Sequence, residues 1–372
     1  MRKHLLITGG AGFIGSHVAA EMLRNGYRIR VLDNLSPQVH GAERKRPDYL
    51  NRDVDLIIGD IRDPASVDRA LDGIDSVYHF VAAVGVGQSM YRIAEYTSIN
   101  NLGTAVLLEA LVKRRVERLI VASSMSVYGE GLYKDSSGTI RAAAERTQEQ
   151  LRLGDWEVRD ERGEPLTPLP TPESKPISLS SVYALSKYDQ ERMCLMVGRA
   201  YGIDTVALRF FNVYGPNQAL SNPYTGVLSN FASRLLNGKP PLIFEDGKQK
   251  RDLIDVRDVA RACKLALEVP GTAFQVMNIA TGRPLTISEI AARMARLLGK
   301  PRLQPEIKGK YRSGDIRHCY ADIALAGSIL GFEPAVTLED GIENLAAWLD
   351  GQVAIDRGVE ARAELAARGL MV

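Results

Sequence analysis

Thr8-Gly9-Gly10-Ala11-Gly12-Phe13-Ile14-Gly15 is the stretch from which the fold can be predicted. It follows a short apolar run that begins at His4 and precedes a helical pattern with Val18 and Met22 on one side. A second apolar run then ends at Asp33. Glycines let the backbone turn tightly and approach a pyrophosphate, which binds at the N-terminus of the following helix. Because strand, glycine-rich turn, helix, strand and acid occur in that order, we predict a dinucleotide-binding unit rather than a turn needed only for packing.

The acid at the end of the second strand indicates which dinucleotide binds. A carboxylate at Asp33 accepts hydrogen bonds from ribose hydroxyls and repels a 2′-phosphate. Asn34 stands where an Arg would attract that phosphate. We therefore predict NAD rather than NADP. The residues of this unit that are predicted to contact NAD are Gly9, Gly12, Phe13, Ile14, Gly15, Asp33 and Asn34.

Further strands continue the pattern and add cofactor contacts at their ends. Asp60 follows a strand at Val54 to Ile58 and is placed to meet an adenine edge, unless it belongs to the N-cap region of the next helix. Small residues after a strand at Ser76 to Phe80 let a cofactor lie close, and Asn100 begins an amphipathic helix that ends at Lys113. The additional NAD contacts are predicted at Asp60, Ile61, Val81, Ala82, Ala83 and Asn100.

Alternating strands and helices of this kind predict an α/β protein with a Rossmann-type, doubly wound parallel sheet, whose ligands bind at the carboxyl ends of the strands. We expect an NAD-binding domain at 1–212 and a smaller, interleaved substrate lobe at 213–350. A polar, proline-rich insertion at about 130–180 lacks a clear strand pattern. It is either a lid or binding loop, with a short helix at Thr147 to Leu153, or a partly disordered surface insertion. Residues 351–372 are predicted to form a helical tail.

Tyr183 and Lys187 are the candidate acid–base pair. They are four residues apart and therefore lie on the same face of a helix. A nearby ammonium group favours phenolate over phenol, so Lys187 is expected to lower the pKa of Tyr183 and make it a base near neutral pH. The alternative is a tyrosine packed beside a solvated lysine. Ser124 follows a strand at Leu119 to Ala122 and is expected at the same edge of the sheet.

The composition excludes several other kinds of protein. A net charge of +2 gives no electrostatic case for nucleic acid or an anionic membrane as partner. The three cysteines are widely spaced, which argues against a disulfide framework or a zinc site and is typical of a reducing compartment. The apolar run after Met1 is too short for a signal peptide, and we expect a cytoplasmic protein without a bound metal.

Taken together, these motifs resemble the extended short-chain dehydrogenases/reductases that act on nucleotide-linked sugars, above all the 4-epimerases. The resemblance extends over roughly residues 4–345. The matching pieces, in chain order, are Thr8 to Gly15, Asp33-Asn34, Gly59-Asp60, Ser123-Ser124, Tyr183 with Lys187, Arg209-Phe210-Phe211-Asn212-Val213-Tyr214-Gly215-Pro216, Arg251-Asp252 and Arg312-Ser313-Gly314-Asp315.

The resemblance implies a role for each side chain. Tyr183 takes the proton of the sugar 4-hydroxyl, Ser124 shares that proton, and Lys187 holds the nicotinamide ribose. It also implies a homodimer that pairs helices at Asn100–Lys113 and Val182–Arg199. The residues implied to contact the nucleotide-diphosphate sugar are Ser124, Ser126, Asn212, Arg251, Arg312 and, at the nucleoside, Asp315.

Departures from the family pattern narrow the reaction. Family 4,6-dehydratases need an acidic pair after the catalytic serine or threonine, but this chain has Met125 and Ser126 there. Epimerisation at C4 is therefore favoured over dehydration. Net reduction of a 4-ketosugar and a non-enzymatic dinucleotide sensor remain as alternatives. The end of the insertion, Leu166 to Glu173, resembles bacterial proteins described as dTDP-L-rhamnose 4-epimerases.

Overall fold

A parallel sheet of seven strands forms the centre of the fold, in a computed structural model that describes residues 3–142, 145–220, 222, 224, 226–312, 314–352 and 358–371. The strands of the protein are β1 (His4–Thr8), β2 (Arg28–Asp33), β3 (Asp55–Ile58), β4 (Ser76–His79), β5 (Arg118–Ser124), β6 (Leu132–Lys134), β7 (Ile140–Ala142), β8 (Thr167–Leu169), β9 (Asp204–Phe210), β10 (Asn212–Tyr214), β11 (Leu242–Ile243), β12 (Lys250–Asp255), β13 (Val276–Ile279), β14 (Pro284–Thr286), β15 (Glu306–Ile307) and β16 (His318–Cys319).

The order of strands across the large sheet is β13-β9-β5-β4-β1-β2-β3, and every neighbouring pair is parallel. This order confirms the predicted Rossmann-type, doubly wound sheet. The α-helices are α1 (Phe13–Arg24), α2 (Pro37–His40), α3 (Pro64–Ala70), α4 (Val86–Ser89), α5 (Ile93–Tyr96), α6 (Gly103–Lys113), α7 (Gln148–Arg152), α8 (Val182–Tyr201), α9 (Val227–Leu236), α10 (Val256–Glu268), α11 (Ile287–Leu297), α12 (Ala324–Leu330), α13 (Leu338–Leu349) and α14 (Gly358–Ala367).

Apolar side chains cover both faces of the sheet. Successive residues of a strand point to opposite faces, so Leu5 and Ile7 pack with α1 and α10, whereas Leu6 packs with α3, α6 and α8. Strands buried on both faces read as continuous apolar runs, which is why β1 was recognisable in the sequence. The helices on either face hold the strand ends at one common edge.

The residues that follow β10 form a smaller lobe around a separate core of α9, α11 and α13. Its sheet pairs β12 with β10, β14 and β16. Strand β13 instead joins the large sheet beside β9. The two parts of the chain are therefore interleaved through β13.

The insertion contains a sheet that the sequence pattern did not predict. Strand β6 pairs antiparallel with both β7 and β8. Each strand has only three residues, which is too short for an alternating pattern to be recognisable, so the interpretation as a partly disordered segment is wrong for these residues. The short helix is confirmed as α7, and the Thr147 hydroxyl caps it by accepting the Gln150 N–H.

The helix predicted from Asn100 begins earlier and changes its geometry. A π-helical segment at Thr97–Leu102 precedes α6, and the Thr104 hydroxyl donates to the Asn100 carbonyl at 2.5 Å. Such segments are frequent at functional sites. The predicted C-terminal helix is present as α14, while 353–357 and 372 lie outside the described residues.

A buried cluster of charges attaches the insertion to the smaller lobe. The guanidinium of Arg317, whose side chain has no exposed surface, contacts Asp246 at 2.6 Å, Glu245 at 2.9 Å and Glu157 of the insertion at 2.6 Å. Arg146 of the insertion contacts the same Glu245 at 2.8 Å. Each cation therefore bridges segments that are distant in the chain.

We predict that Arg317→Met destabilises the protein by about 3–5 kcal/mol, because it breaks a buried ion-pair network, leaving Glu245 with Arg146 alone and Asp246 and Glu157 without this cation. The matched control is Arg293→Met, whose partly exposed pair with Glu339 is worth about 0–1 kcal/mol. Urea unfolding of both variants measures the difference. Equal free energies of unfolding would contradict the structural role given to Arg317.

Candidate active site

A cavity of about 690 Å³ lies at the carboxyl ends of the central strands. It is lined by residues that directly follow β1, β2, β4, β5 and β9, as expected for this sheet type. The structure brings together there the predicted residues Gly9, Gly12, Phe13, Ile14, Gly15, Asp33, Asn34, Asp60, Ile61, Val81, Ala82, Ala83, Ser124, Ser126, Tyr183, Lys187, Asn212, Arg251, Arg312 and Asp315. Ser313 lies outside the described residues.

The glycine-rich turn has no room for side chains. A Cβ on Gly9, whose φ is +70°, would lie 2.8 Å from the Val81 backbone, and a Cβ on Gly15 would lie 2.6 Å from the Gly10 Cα. The N-cap of α1 is Gly12, so no side chain stands in front of the first turn of the helix. This cradle fits a pyrophosphate, whose charge the helix N-terminus stabilises.

Asp33 is held rigidly beside this turn. Its carboxylate accepts the N–H groups of Ala11 at 3.1 Å and Leu35 at 2.9 Å. Burial raises the pKa of Asp33, while these hydrogen bonds and His40, 3.8 Å away, lower it. His40 also lines the cavity, and it was not predicted because it ends the four-residue helix α2, which carries no motif. Asp33 in this position fits a dinucleotide with free ribose hydroxyls.

Asp60 is a cavity residue and does not cap a helix. Its carboxylate accepts from Arg62 at 2.8 and 2.7 Å and from Asn34 at 3.4 Å. The hydrogen bond from Arg62 lowers the pKa of Asp60 to about 2, so it is ionised at neutral pH. The N-cap of α3 is Asp63 instead. The contact of Asp60 with an adenine edge stays a prediction.

Tyr183 and Ser124 meet at the centre of the cavity. Ser124 ends β5, and Tyr183 lies in the first turn of α8, which the Ser181 hydroxyl caps. Ser124 is close enough to Tyr183 to lower the pKa of its phenol. Ser124 also donates to Ser126 at 3.1 Å and accepts its backbone N–H. A substrate hydroxyl at this point would meet a linked set of proton donors and acceptors.

The prediction that Lys187 lowers the pKa of Tyr183 is wrong for this structure. Burial raises the pKa of Tyr183, and its hydrogen bond with Ser124 lowers it in part. Lys187 donates to Gln190 at 2.7 Å, and burial lowers its pKa to about 8. The physical reason is that loss of hydration penalises both charged forms in this dry site.

A polar network behind Lys187 was not predicted from the sequence. The Gln190 amide that accepts from Lys187 also donates to Thr104 at 2.9 Å. Thr104 and Thr8 each lie 2.9 Å from a ring nitrogen of His79. Burial and the charge of Lys187 lower the pKa of His79 to about 3, so the imidazole is neutral. The sequence signal for it was limited to polar residues at positions where a buried strand or helix face is otherwise apolar, such as His79 in β4 and Gln190 in α8.

Asn100 supports the site from behind and does not line the cavity. Its side chain accepts the Ala83 N–H at 2.7 Å and donates to the Ala83 carbonyl at 3.1 Å and to Ser186 at 2.8 Å. It has no exposed surface. Both ends of its amide bind the Ala83 backbone, and the cofactor contact at Asn100 stays a prediction.

The other end of the cavity carries cations. Arg312 pairs with Asp315 at 2.9 Å and lies 5.1 Å above the Phe244 ring. Arg251 donates to the backbone carbonyls of Arg317 and Ile316. These bonds hold two guanidinium groups in the cavity wall, where phosphate oxygens could accept from them bidentately.

Comparison with known proteins assigns the chain to a class. It belongs to the NAD dependent epimerase/dehydratase family, whose model matches residues 5–150 and 161–280. This assignment agrees with the glycine cradle and the cavity described above.

Particular relatives narrow the comparison. The chain is 34% identical to a dTDP-L-rhamnose 4-epimerase from Burkholderia thailandensis, over 93% of this chain and 95% of that protein. UDP-glucose 4-epimerase from Thermotoga maritima, solved with UDP-glucose, has a TM-score of 0.76 and 31% identity, over 94% of this chain and 99% of that one. UDP-glucuronic acid 4-epimerase from Bacillus cereus, in complex with UDP-glucuronic acid and NAD, has a TM-score of 0.73 and 26% identity, with coverage of 94% and 99%.

The described residues lack a membrane-spanning helix and a metal-binding group. None of their helices has both the length and the apolar composition needed to cross a membrane. Within the same residues, no group of His, Cys, Asp and Glu side chains is suited to hold a metal ion.

We predict that Gly15→Ala reduces the NAD that the protein retains, because the new Cβ would displace the turn against which α1 packs. The control is Gly327→Ala, where the nearest heavy atom would be 3.7 Å from the Cβ. NAD released from equal amounts of purified, denatured protein measures the effect. A Gly15→Ala protein with the wild-type NAD content would contradict the assignment of the cradle.

Proposed function

We propose that the protein is an NAD-dependent 4-epimerase of a nucleotide-diphosphate sugar. The observation that carries the proposal is the meeting of Tyr183, Ser124 and Lys187 in the same cavity as the glycine cradle and Asp33. A sensor protein would need the cradle but not an acid–base set in the same cavity. Membership of an epimerase/dehydratase family supports the same conclusion.

Tyr183 is proposed to take the proton of the sugar 4-hydroxyl and later to return it. When bound, NAD supplies hydride acceptance from C4 and its return, a redox chemistry that the side chains lack. Ser124, which lowers the pKa of Tyr183, is proposed to share the proton. Lys187, buried and positioned by Gln190, would hold the ribose of NAD. Inversion requires the 4-keto sugar to present its other face before reduction.

The opposite end of the cavity is proposed to bind the nucleotide diphosphate. Arg251 and Arg312 would bind phosphate oxygens, and Asp315 would contact the nucleoside. Asn212 adds a further contact, since its Oδ1 atom is buried without a hydrogen-bond partner among the described residues. A buried acceptor of this kind is costly unless a ligand supplies a donor.

Dehydration is disfavoured because the two residues after Ser124 cannot act as the acid and the base that elimination of water requires. Met125 is buried and has no ionisable group, and Ser126 is bonded to Ser124. Net reduction would require a cofactor that exchanges after each turnover. Asp33 disfavours NADPH, the usual free reductant.

The sugar is proposed to be dTDP-L-rhamnose. The relative from Burkholderia thailandensis supports it, since it carries this activity in its name at 34% identity. The resemblance of the end of the insertion, Leu166 to Glu173, to proteins so described points the same way. The three cysteines are free and buried, which favours a reducing, cytoplasmic location.

A homodimer through α6 and α8 is also proposed. Leu185 and Met196 of α8 are 46% and 54% exposed, and Leu102 on the adjoining π-helical segment is 53% exposed. Leu185 and Met196 are three helical turns apart and share one face. An exposed apolar face on neighbouring helices suits an isologous twofold contact.

The test of the proposed function is incubation of purified protein with a panel of nucleotide sugars and no added cofactor. We expect C4 inversion, detected by NMR, together with mainly NAD in the supernatant of denatured protein, since an epimerase reuses its cofactor. Recovery of mainly NADP, or turnover only with added NADPH, would favour the reductase.

Tyr183→Phe removes the proton acceptor and keeps the ring. We expect it to fold, to retain NAD and to lose rate by about 10²–10⁴-fold. Tyr188→Phe on the same helix is the matched control and should keep the rate. Near-normal epimerisation by Tyr183→Phe would remove Tyr183 from the mechanism.

Ser124→Ala tests the pH dependence. The hydrogen bond from Ser124 lowers the pKa of Tyr183, so its loss should raise that pKa and move the acid limb of the pH–rate profile to higher pH. The loss of rate should be smaller than for Tyr183→Phe. An unmoved acid limb would mean that Ser124 does not set the basicity of Tyr183.

Met196→Lys is expected to yield a monomer, because an isologous contact would bury the new charge twice. Leu153→Lys, at a side chain that is 80% exposed in the insertion, is the control. Light scattering at micromolar concentration gives the mass. A monomeric wild-type protein would refute the dimer.

A further inference from the structure

The C-terminal segment, residues 358–371, forms part of the cavity wall. Ala361, Leu365 and Met371 are only 8%, 5% and 8% exposed and line the cavity together with Tyr183 and Ser124. Ala361 and Leu365 of α14 are therefore buried against the site and not against a separate core. Neither the proposed chemistry nor the predicted NAD contacts use this segment.

A single carboxylate attaches α14 to both sides of the cavity. Glu364 accepts from the Tyr91 hydroxyl at 2.6 Å and from the Tyr224 hydroxyl at 3.1 Å. The two phenol oxygens are 2.6 Å apart. Arg368 lies 4.3 Å above the Tyr91 ring. Because Tyr91 follows α4 and Tyr224 precedes α9, the segment spans the opening between the large sheet and the smaller lobe.

The segment runs from the catalytic end of the cavity to the cationic end. Leu365 would be 3.3 Å from a Cβ on Gly87, and the nearby Ser89 hydroxyl accepts the backbone N–H of Tyr183 at 3.0 Å. Met371 forms an antiparallel bridge with Arg312. One wall therefore passes over the position between the proposed acid–base pair and the proposed phosphate site, which is where the sugar must lie.

We propose that residues 358–371 complete the sugar site and that Leu365 selects a nucleoside-diphosphate 6-deoxyhexose. This inference rests on the proposed function. A methyl group at C6 gains by leaving water for an apolar wall, whereas a hydroxyl or carboxylate loses hydration there without a partner. A hydrophobic pocket discriminates one such group by about 10–200-fold. Glu364 is a positioning residue that holds this wall in place.

The decisive measurement is binding, by calorimetry, of dTDP, dTDP-L-rhamnose and dTDP-L-mannose, since the two sugars differ only in the oxygen at C6. We expect wild-type protein to bind the rhamnose compound about 10-fold or more tightly than the mannose compound. Leu365→Ser should shrink this ratio towards one and leave dTDP binding unchanged. Ala366→Ser, on the exposed side of α14, is the matched control and should keep the ratio.

Glu364→Ala tests the attachment, with Glu360→Ala at an exposed position of the same helix as control. Glu364→Ala should weaken the binding of dTDP-L-rhamnose but not the binding of dTDP. Hydrogen exchange of 358–371 should slow when dTDP-L-rhamnose is added to wild-type protein, but not when dTDP is added.

The outcomes separate this inference from the proposed function. Selective binding of dTDP-L-rhamnose without C4 inversion would support the role given to residues 358–371 and contradict the proposed 4-epimerase activity. C4 inversion together with equal affinities for dTDP-L-rhamnose and dTDP-L-mannose would overturn the inference and leave the epimerase proposal intact. An affinity ratio that Leu365→Ser leaves unchanged would do the same. A wild-type protein that binds neither sugar compound would overturn it as well.

Discussion

The geometry of the site depends on a buried ion pair between Arg209 of β9 and Glu191 of α8. Two hydrogen bonds of 2.9 and 2.8 Å join the guanidinium to the carboxylate, and both side chains are almost fully buried. Removal of either charge would leave the other uncompensated, at a cost of about 3–5 kcal/mol. The pair therefore fixes the rotation and height of α8 on the sheet, and with them the position of Tyr183.

The same pair positions Ser124, the second group proposed for catalysis. Glu191 also accepts from Ser123 at 2.6 Å, directly before Ser124. Arg209 donates to the Tyr128 hydroxyl at 2.8 Å, which donates in turn to Asn278 of β13 at 2.7 Å. One network thus joins β5, β9, β13 and α8. Its charges are compensated internally. Burial on the same helix lowers the pKa of Lys187.

The sequence predicted what local patterns encode and missed what distant partners decide. Apolar runs and the glycine-rich turn specify the central strands and the cradle within about 30 residues each, as a βαβ unit does. The bonds of the Asn100 amide to Ala83 were not predicted, because Ala83 lies 17 residues earlier, on a loop outside the helix of Asn100. The basicity of Tyr183 was misjudged because spacing indicates the neighbouring charge but not the loss of hydration. The three-residue strands of the insertion depend on pairing, which their sequence does not show.

The groups proposed for catalysis and those proposed for sugar recognition lie in different parts of the fold. Arg312, Asp315 and the segment 358–371 lie beyond residue 280, where the family model ends, although the resemblance to the 4-epimerases includes Arg312 and Asp315. Hydride and proton transfer need groups fixed at the strand ends, and the matched part supplies them. Recognition of one sugar needs a wall on the open side of the sheet, which no strand end can provide. Substitutions in the segment 358–371 could therefore change which sugar is bound and leave the proposed catalytic groups at the strand ends unchanged.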